Sequence, residues 1–526
     1  MSPPSFFHRG HIRSPTCTLY TATRNYVFEK STQHRVNDRV GGYNEEVQST
    51  TTGFLKLGLF NEISVGLDSI EIKEPTPVQR AVIPRLLKDE NVLMAANTGS
   101  GKTLAYALPA LQKLLIEEQS GYERRAKRPR VLVLVPTREL ARQVLSTIKS
   151  LSHFCKVSSC AVMGGEQYGL QKKNLNRLID IVVASPGRLR QHKEQGHIYL
   201  SEVDTVIIDE VDTMLTQGFG PDVRAILRSA MLRRREGNCT ANDNKRGRRA
   251  QLIMATATLT RPVRALITDL EGGFDINYAD STNITPRKRT ESDMTNKVNL
   301  KIVEVDGLHK VVANVRHSTE LVSGGQDKIR VLRDILSRSD LKIYRTLIFC
   351  NSVTSCQAVA HSLNEAGIES VSYHGDLNSR MREANLHAFR EGQAQYLACT
   401  DIAARGLDIP EIEHVIIFDF PLNPVDYLHR AGRCGRAGRS GLVTSLVTKR
   451  DKVLSEGIRN AISKGLPLDS LTGNKKDYES GGHLGGVMKE SSGTRRRISA
   501  RGSPGFERGD ARRSSSQKLS KRRNKK

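Results

Sequence analysis

The chain contains no run of the roughly 18 or more apolar residues that a bilayer-crossing helix requires, which excludes an integral membrane protein of that kind. Its eight cysteines include no CxxC pair, so neither a disulfide framework nor a paired metal site is expected. The thiols read instead as free and buried. Acid is in short supply: 56 Asp+Glu stand against 81 Lys+Arg, a formal net charge of +25. A deficit of that size favours a polyanionic partner, either nucleic acid or an anionic membrane surface. No short internal repeat is visible. The 526 residues exceed one compact domain, since domains typically hold about 100–200 residues. With 38% hydrophobic residues the chain can bury a core of useful size.

The charge is unevenly placed. Residues 1–40 carry +4, and their first acid is Glu29. Residues 229–250 carry +5, through Arg233–Arg235, Lys245, Arg246, Arg248 and Arg249, and residues 489–526 carry +11. The remainder is nearly neutral, so basic appendages are attached to an ordinary globular body. The tail is rich in Ser, Gly and Arg and poor in large apolar residues, a composition that predicts disorder. It reads either as a solvated extension or as a non-specific binder of nucleic-acid phosphates. Between the appendages, short β-branched or aliphatic runs recur at 92–95, 131–135, 181–183, 205–208 and 252–255. A second set follows at 346–350, 370–373, 396–399, 415–418 and 443–447. Near-continuous apolar runs are those of strands covered on both faces. Amphipathic stretches between them, such as 102–117 and 327–337, make βαβ units and predict an α/β protein with two parallel sheets.

Two motifs carry chemistry. Ala96-Asn97-Thr98-Gly99-Ser100-Gly101-Lys102-Thr103 follows a predicted strand and opens a predicted helix, the setting of a phosphate loop. Small residues let backbone N–H groups close around phosphate oxygens, and the helix N-terminus adds a favourable dipole. Lys102 would reach the β/γ-phosphates, and the Thr103 hydroxyl would ligate Mg²⁺. Ala96 stands where the general pattern has glycine. The second motif, Asp209-Glu210-Val211-Asp212, ends a hydrophobic strand and so lies at the carboxyl edge of the sheet beside that loop. Asp209 would hold Mg²⁺ through its water shell, and Glu210 would orient or deprotonate the attacking water.

With these motifs in place, the chain resembles the DEAD-box ATP-dependent RNA helicases of superfamily 2, from about Phe54 to Lys464. The resemblance implies two RecA-like parallel-sheet domains in tandem: residues 51–275 and 323–470, joined by a linker insertion at 276–322. Residues 1–50, as a disordered arm or transit peptide, and the basic tail 471–526 flank them. It implies ATP and Mg²⁺ as cofactors, with Gln79 reading adenine and Phe54 stacking on it, and Asp408 binding ribose. Arg433 and Arg436 would act as arginine fingers on the γ-phosphate. Arg138, Gly165, Ser185, Arg188, Arg382 and Thr400 match RNA contacts, mainly to the backbone. Asp212, Thr256, Thr258 and His429 fall at positions that couple ATP to RNA.

Some residues depart from the family pattern. Val211 replaces alanine, Cys434 replaces a threonine, and Ile72 replaces an aromatic, but none of these deletes a charged catalytic group. The implied activity is RNA-stimulated ATP hydrolysis that drives local duplex unwinding by a monomer. The alternatives are an ATP-gated RNA clamp or assembly scaffold with little turnover, and a DNA-directed motor of the same superfamily. The stretches 307–317 and 324–328 are similar to the domain junction of plant plastid members linked to ribosomal RNA maturation. That similarity favours ribosomal RNA and ribosome-assembly proteins as partners. The basic, acid-poor segment 1–40 fits a plastid or mitochondrial transit peptide, whereas 521–526 would fit a nuclear signal.

Overall fold

In the computed structural model the described residues are 53–231, 249–272, 297–305, 314–323, 327–338, 345–401, 412–435 and 439–468, with 471, 474 and 477. Asp408, Arg436, most of the 229–250 block, residues 1–52 and nearly all of the tail lie outside them.

The first lobe is built on strands β1 (Asn91–Ala95), β2 (Val131–Leu134), β3 (Ser159–Val162), β4 (Ile181–Ala184), β5 (Thr205–Ile208), β6 (Gln251–Thr256) and β7 (Leu300–Glu304). Their order across the sheet is β3-β4-β2-β5-β6-β1-β7, and every pairing is parallel. Helices α1 (Asn61–Ser69), α2 (Pro77–Leu86), α3 (Lys102–Gln119), α4 (Arg138–Cys155), α5 (Tyr168–Leu175), α6 (Pro186–Glu194), α7 (Val211–Thr216), α8 (Gly220–Met231) and α9 (Arg261–Glu271) connect them. The second lobe holds β8 (Val315–Leu321), β9 (Thr346–Cys350), β10 (Ser370–Tyr373), β11 (Tyr396–Thr400), β12 (His414–Ile417) and β13 (Gly441–Val447), in the parallel order β10-β11-β9-β12-β13-β8. Its helices are α10 (Lys328–Leu336), α11 (Val353–Glu365), α12 (Ser379–Arg390), α13 (Pro424–Ala431) and α14 (Lys452–Ser463). None of the helices is long and apolar enough to cross a membrane, among the described residues.

The period of two along each strand divides the core. Val92, Met94, Val131 and Val133 pack on one face of the first sheet, while Leu93, Ala95, Leu132 and Leu134 pack on the other. Leu347 and Phe349 separate from Ile348 and Cys350 in the same way in the second lobe. Burying each large apolar side chain stabilises the fold by about 1.5–3 kcal/mol, and here both faces of each sheet contribute. Val211 fits this scheme: it is buried in the core of the first lobe, at the start of α7.

The span expected to be a linker insertion, 276–322, contains two strands. Residues Leu300–Glu304 pair with β1, and Val315–Leu321 pair with β13, so each lobe takes an edge strand from it. Edge strands are half solvated, and Lys301, Glu304, Arg316 and Glu320 break the apolar run that marks a central strand. Leu471, the first residue of the span read as tail, is buried in the second lobe's core. Six thiols, Cys155, Cys160, Cys350, Cys356, Cys399 and Cys434, are free and buried.

Local capping sets the helices that matter for function. The Thr76 side chain accepts from Gln79 N–H and the Gln79 side chain accepts from Thr76 N–H, a reciprocal box that starts α2. Thr137 caps α4 by accepting from Leu140 N–H at 3.2 Å, which fixes Arg138 as the helix's first residue. Such a cap typically stabilises by about 1 kcal/mol.

Candidate active site between the lobes

Parallel strands bring all their carboxyl ends to one edge, so the segments after β1, β5 and β6 meet there. After β1, Gly99 (φ +79°) and Gly101 (φ +88°) take left-handed conformations that curl the loop over the start of α3. A Cβ on Gly101 would stand 2.6 Å from Gln79 Nε2, so glycine is also required sterically. Lys102 Nζ sits inside the curl and donates to Ala96 O at 2.7 Å and Asn97 O at 2.8 Å. Ser100 Oγ is buried with no hydrogen-bond partner.

After β5, Asp209 is buried. Its Oδ1 accepts from Glu210 N–H at 2.9 Å, and its Oδ2 accepts from the Tyr106 hydroxyl at 2.9 Å. Burial, with the Glu210 charge beside it, pushes the Asp209 carboxyl up to about 6, against the pull of Lys102. Glu210 adopts a left-handed backbone (φ 47°), rare outside glycine, and its Oε2 is buried without a partner. Asp212 behaves oppositely. Burial alone would raise it, but the hydrogen bond and charge of His429 carry it well below the usual carboxylate range, helped by Thr258 and the Thr213 N–H. The distances are 3.4 Å to His429 Nε2, 2.6 Å from Thr258 Oγ1 and 3.0 Å from Thr213 N. Thr256 Oγ1 in turn donates to Thr258 O at 2.8 Å. The four residues expected to couple the two ligands therefore form one connected group, and His429 brings it across from the second lobe.

A cleft of about 540 Å³ lies over these segments. Thr98, Gly99, Gly101, Lys102, Thr103, Asp209 and Glu210 line it from the first lobe, and His429 and Arg433 from the second. Thr98 Oγ1 also donates to Gly432 O at 3.3 Å across the lobes. On the outer surface, Arg138 and Arg188 make no hydrogen bond or ion pair among the described residues, and the Arg138 guanidinium fills the space above Gly165. Ser185 caps α6 by position and Thr400 ends β11. Arg382 is engaged: its Nη1 lies 3.4 Å from Glu139 Oε1, which also accepts from Tyr373 OH at 3.2 Å.

A family model described as DEAD/DEAH box helicase matches residues 76–266, and one described as Helicase conserved C-terminal domain matches 327–438. "ATP-dependent RNA helicase DBP3" of Candida glabrata is 32% identical over 412 residues, 77% of this chain and 68% of that protein. The chain belongs to the DEAD-box RNA helicases. This is a family of ATP-hydrolysing enzymes. "DEAD-box ATP-dependent RNA helicase 39" of Arabidopsis thaliana is 38% identical over 422 residues, 80% of this chain. The chain spans 62% of that relative's length. Among solved structures, S. cerevisiae Dbp5 bound to RNA and ADP BeF3 shares the fold, with a TM-score of 0.61, 24% identity, and coverage of 84% of this chain and 100% of that one.

Within this DEAD-box frame, both residues expected to contact adenine are buried. Phe54, expected to stack on the base, is 1% exposed inside the core of the first lobe, and the aliphatic side chains on the cleft include Ile70, Ile72, Leu104 and Leu140. Gln79 is also 1% exposed; its Oε1 accepts from Thr76 N–H and its Nε2 donates to Gly101 O at 3.1 Å. An amide has two donor hydrogens and two acceptor lone pairs, so one of each remains. Thr103 and Asp209 fit hydrated Mg²⁺: both present oxygen to the cleft, as a hard cation requires.

Sequence reasoning missed Tyr106, although it lies one helical turn after Lys102 on α3 and therefore on the same side. It also missed Arg430, 2% exposed, which donates to both oxygens of Asp401 at 2.7 and 2.5 Å and to Asn351 Oδ1 at 2.6 Å. Arg430 fixes the start of the segment after Thr400, and only its position between His429 and Ala431 hinted at it.

Proposed function

We propose that this chain hydrolyses ATP in response to RNA and uses the cycle to separate or remodel short RNA structures. The observation that carries the reading is the single carboxylate of Asp212. It is held by Thr258, from the segment after β6, and by His429, four residues before Arg433. ATP phosphates entering the cleft would take Lys102 from the carbonyls of Ala96 and Asn97. The unpartnered Ser100 Oγ and Glu210 Oε2 are the buried atoms that phosphate and attacking water would satisfy. Bound Mg²⁺ supplies charge neutralisation at the phosphates, and Thr103 and Asp209 would hold it, largely through water. Arg433 reaches the γ-phosphate from the second lobe, so turnover needs the lobes together; an arginine so placed can be worth about 10³–10⁵ in rate.

RNA backbone lying across Arg138, Gly165, Ser185 and Arg188 and on to Arg382 and Thr400 would favour the same closed arrangement. ATP and RNA then strengthen each other's binding by one shared factor. Contacts of this kind grip the backbone and read little sequence. Ribosomal RNA is the substrate we favour, in a plastid or mitochondrion. The support is the similarity of 307–317 and 324–328 to plastid members of the family, with the acid-poor composition of 1–40.

ATPase measured with RNA, with DNA and with neither tests the reading. Stimulation by RNA alone is expected. Equal stimulation by DNA would favour a DNA-directed motor, and RNA-dependent ATP binding with negligible turnover would favour a clamp.

A further inference from the structure

The Arg188 side chain is held by a ring rather than by an ion pair. Its guanidinium carbon lies 5.3 Å from the centroid of the Tyr168 ring, and among the described residues it makes no hydrogen bond or salt bridge. Tyr168 is itself fixed. It stacks on the His192 ring at 4.1 Å with an interplanar angle of 5°, and its hydroxyl donates to Gln195 Oε1 at 2.9 Å. His192 is fully buried, with Nε2 3.1 Å from Gln171 Oε1 and Nδ1 3.3 Å from His197 Nδ1. Gln171 Nε2 donates to Met163 O at 2.7 Å, the residue before the Gly164-Gly165 turn.

The hydrogen bonds run in one consistent direction. The Met163 carbonyl requires the amide nitrogen of Gln171, so Gln171 Oε1 faces His192 and accepts from Nε2–H. Neutral His192 then accepts at Nδ1 from His197 Nδ1–H, which also faces the Tyr168 oxygen at 3.2 Å. Burial pulls the His192 imidazole down to about 4, so the ring stacked on Tyr168 brings no positive charge to compete with Arg188.

We infer that Tyr168, seated on His192, is a positioning residue that holds the Arg188 guanidinium ready for an RNA phosphate and ties it rigidly to the Gly164-Gly165 turn. The inference rests on the reading of Arg188 as an RNA contact. A guanidinium stacked on an aromatic face keeps its N–H fork free, and a restrained fork loses less freedom when phosphate arrives. Arg138 lies over Gly165 on the same turn, so that turn, tied to the rings of α5 and α6 through Gln171, lies beside Arg138 as well.

The test is RNA-stimulated ATPase of the full chain, read as half-saturating RNA and as turnover at saturating RNA, for Tyr168→Ala, Tyr168→Leu, Tyr168→Phe, Arg188→Ala and Tyr168→Ala/Arg188→Ala. Thermal unfolding identifies variants that fail to fold; Tyr168→Leu fills the space without an aromatic face and covers that case. Tyr168→Ala and Tyr168→Leu should raise half-saturating RNA about threefold to tenfold, the size of one such contact, with saturating turnover within about twofold of the parent. Tyr168→Phe should stay within about twofold, because the face is kept. The double variant should be no worse than Arg188→Ala, since Tyr168 acts through Arg188. If Arg188→Ala weakens RNA binding while Tyr168→Ala and Tyr168→Leu do not, or if the two losses multiply in the double variant, the positioning role is overturned and the RNA contact stands. If Arg188→Ala leaves half-saturation unchanged, both fall.

Discussion

Asp209 and Asp212 flank one turn between β5 and α7, both are buried, and the protein drives their acidities in opposite directions. The difference lies in what each faces. Asp209 receives one backbone N–H and one phenol, both neutral, and a nearby acid. It remains an underpaid charge that a hydrated cation can complete. Asp212 receives a hydroxyl, a backbone N–H and an imidazole from the other lobe, and its demand is met within the protein. Four consecutive residues thus carry a site for ligand and a strut between lobes, and identical side chains serve both because their partners differ.

The sharpest way to separate the two is to act on Glu210, which stands between them. Glu210→Gln keeps the shape and removes the base, so ATP binding should persist while turnover drops by about 10²–10⁴, the usual span of a general base. Steady-state ATPase with fluorescent-nucleotide binding measures both, and turnover within a few-fold of the parent would remove Glu210 from the chemistry.

Asp212→Asn breaks the strut and spares the site. The amide can still accept from Thr258 but no longer matches His429. The mutual enhancement of ATP and RNA binding should shrink by about 5- to 150-fold, while ATP affinity without RNA stays near that of the parent. Nucleotide titrations with and without RNA decide it; an unchanged enhancement would show that the lobes are coupled elsewhere.

On the other side of the comparison, Tyr106→Phe removes a donor from Asp209 and leaves the strut intact. The metal-free protein should lose about 1.5–3 kcal/mol, as for a hydrogen bond to a charged group. Chemical denaturation in chelator measures this, and an unchanged midpoint would mean that water replaces the phenol.

The smallest effect is one of slope with pH in the metal-free protein. Asp209, raised to about 6, takes up a proton in the folded state before the unfolded state does. Its contribution to stability therefore grows as pH falls from 6 towards the unfolded value of about 4. Asp212 is depressed, so its contribution is present above about pH 4 and is lost as pH falls further. Asp209→Asn should flatten the first change and Asp212→Asn the second. Stability profiles of the two variants that superimpose would contradict the assignment.

The sequence announced the central strands and the phosphate loop because each is dictated locally: continuous apolar runs for strands buried on both faces, and small residues before Lys102. It did not reveal β3, β7 or β8. β3 alternates buried and half-buried residues, and β7 and β8 carry charge along an exposed edge. Phe54 was read as a stacking group from its match to the family pattern, and no local signal showed that it would be buried in the core with residues of α1, α2 and α3. Tyr106 and Arg430 were passed over for a different reason. Their roles depend on acids 103 and 29 residues away in sequence, and no local pattern states which acid a buried donor will meet.

The contact of Thr98 with Gly432 across the cleft has a consequence for the balance between conformations. A Cβ at Gly432 would stand 2.6 Å from Thr98 Oγ1, on the facing lobe. With the lobes apart the contact with Thr98 is gone, and only the tighter-than-usual approach to Leu428 O, 3.1 Å away in the same lobe, remains. A single methyl group at this point would therefore act as a spacer that penalises one member of an equilibrium more than the other. Overpacking of this sort typically costs about 1–3 kcal/mol, enough to change the ratio of shut to parted molecules by about 5- to 150-fold without touching phosphate, water or RNA. The absence of a side chain at residue 432 therefore acts as a weight on that balance, leaving the engaged form free of a penalty that any larger residue would impose.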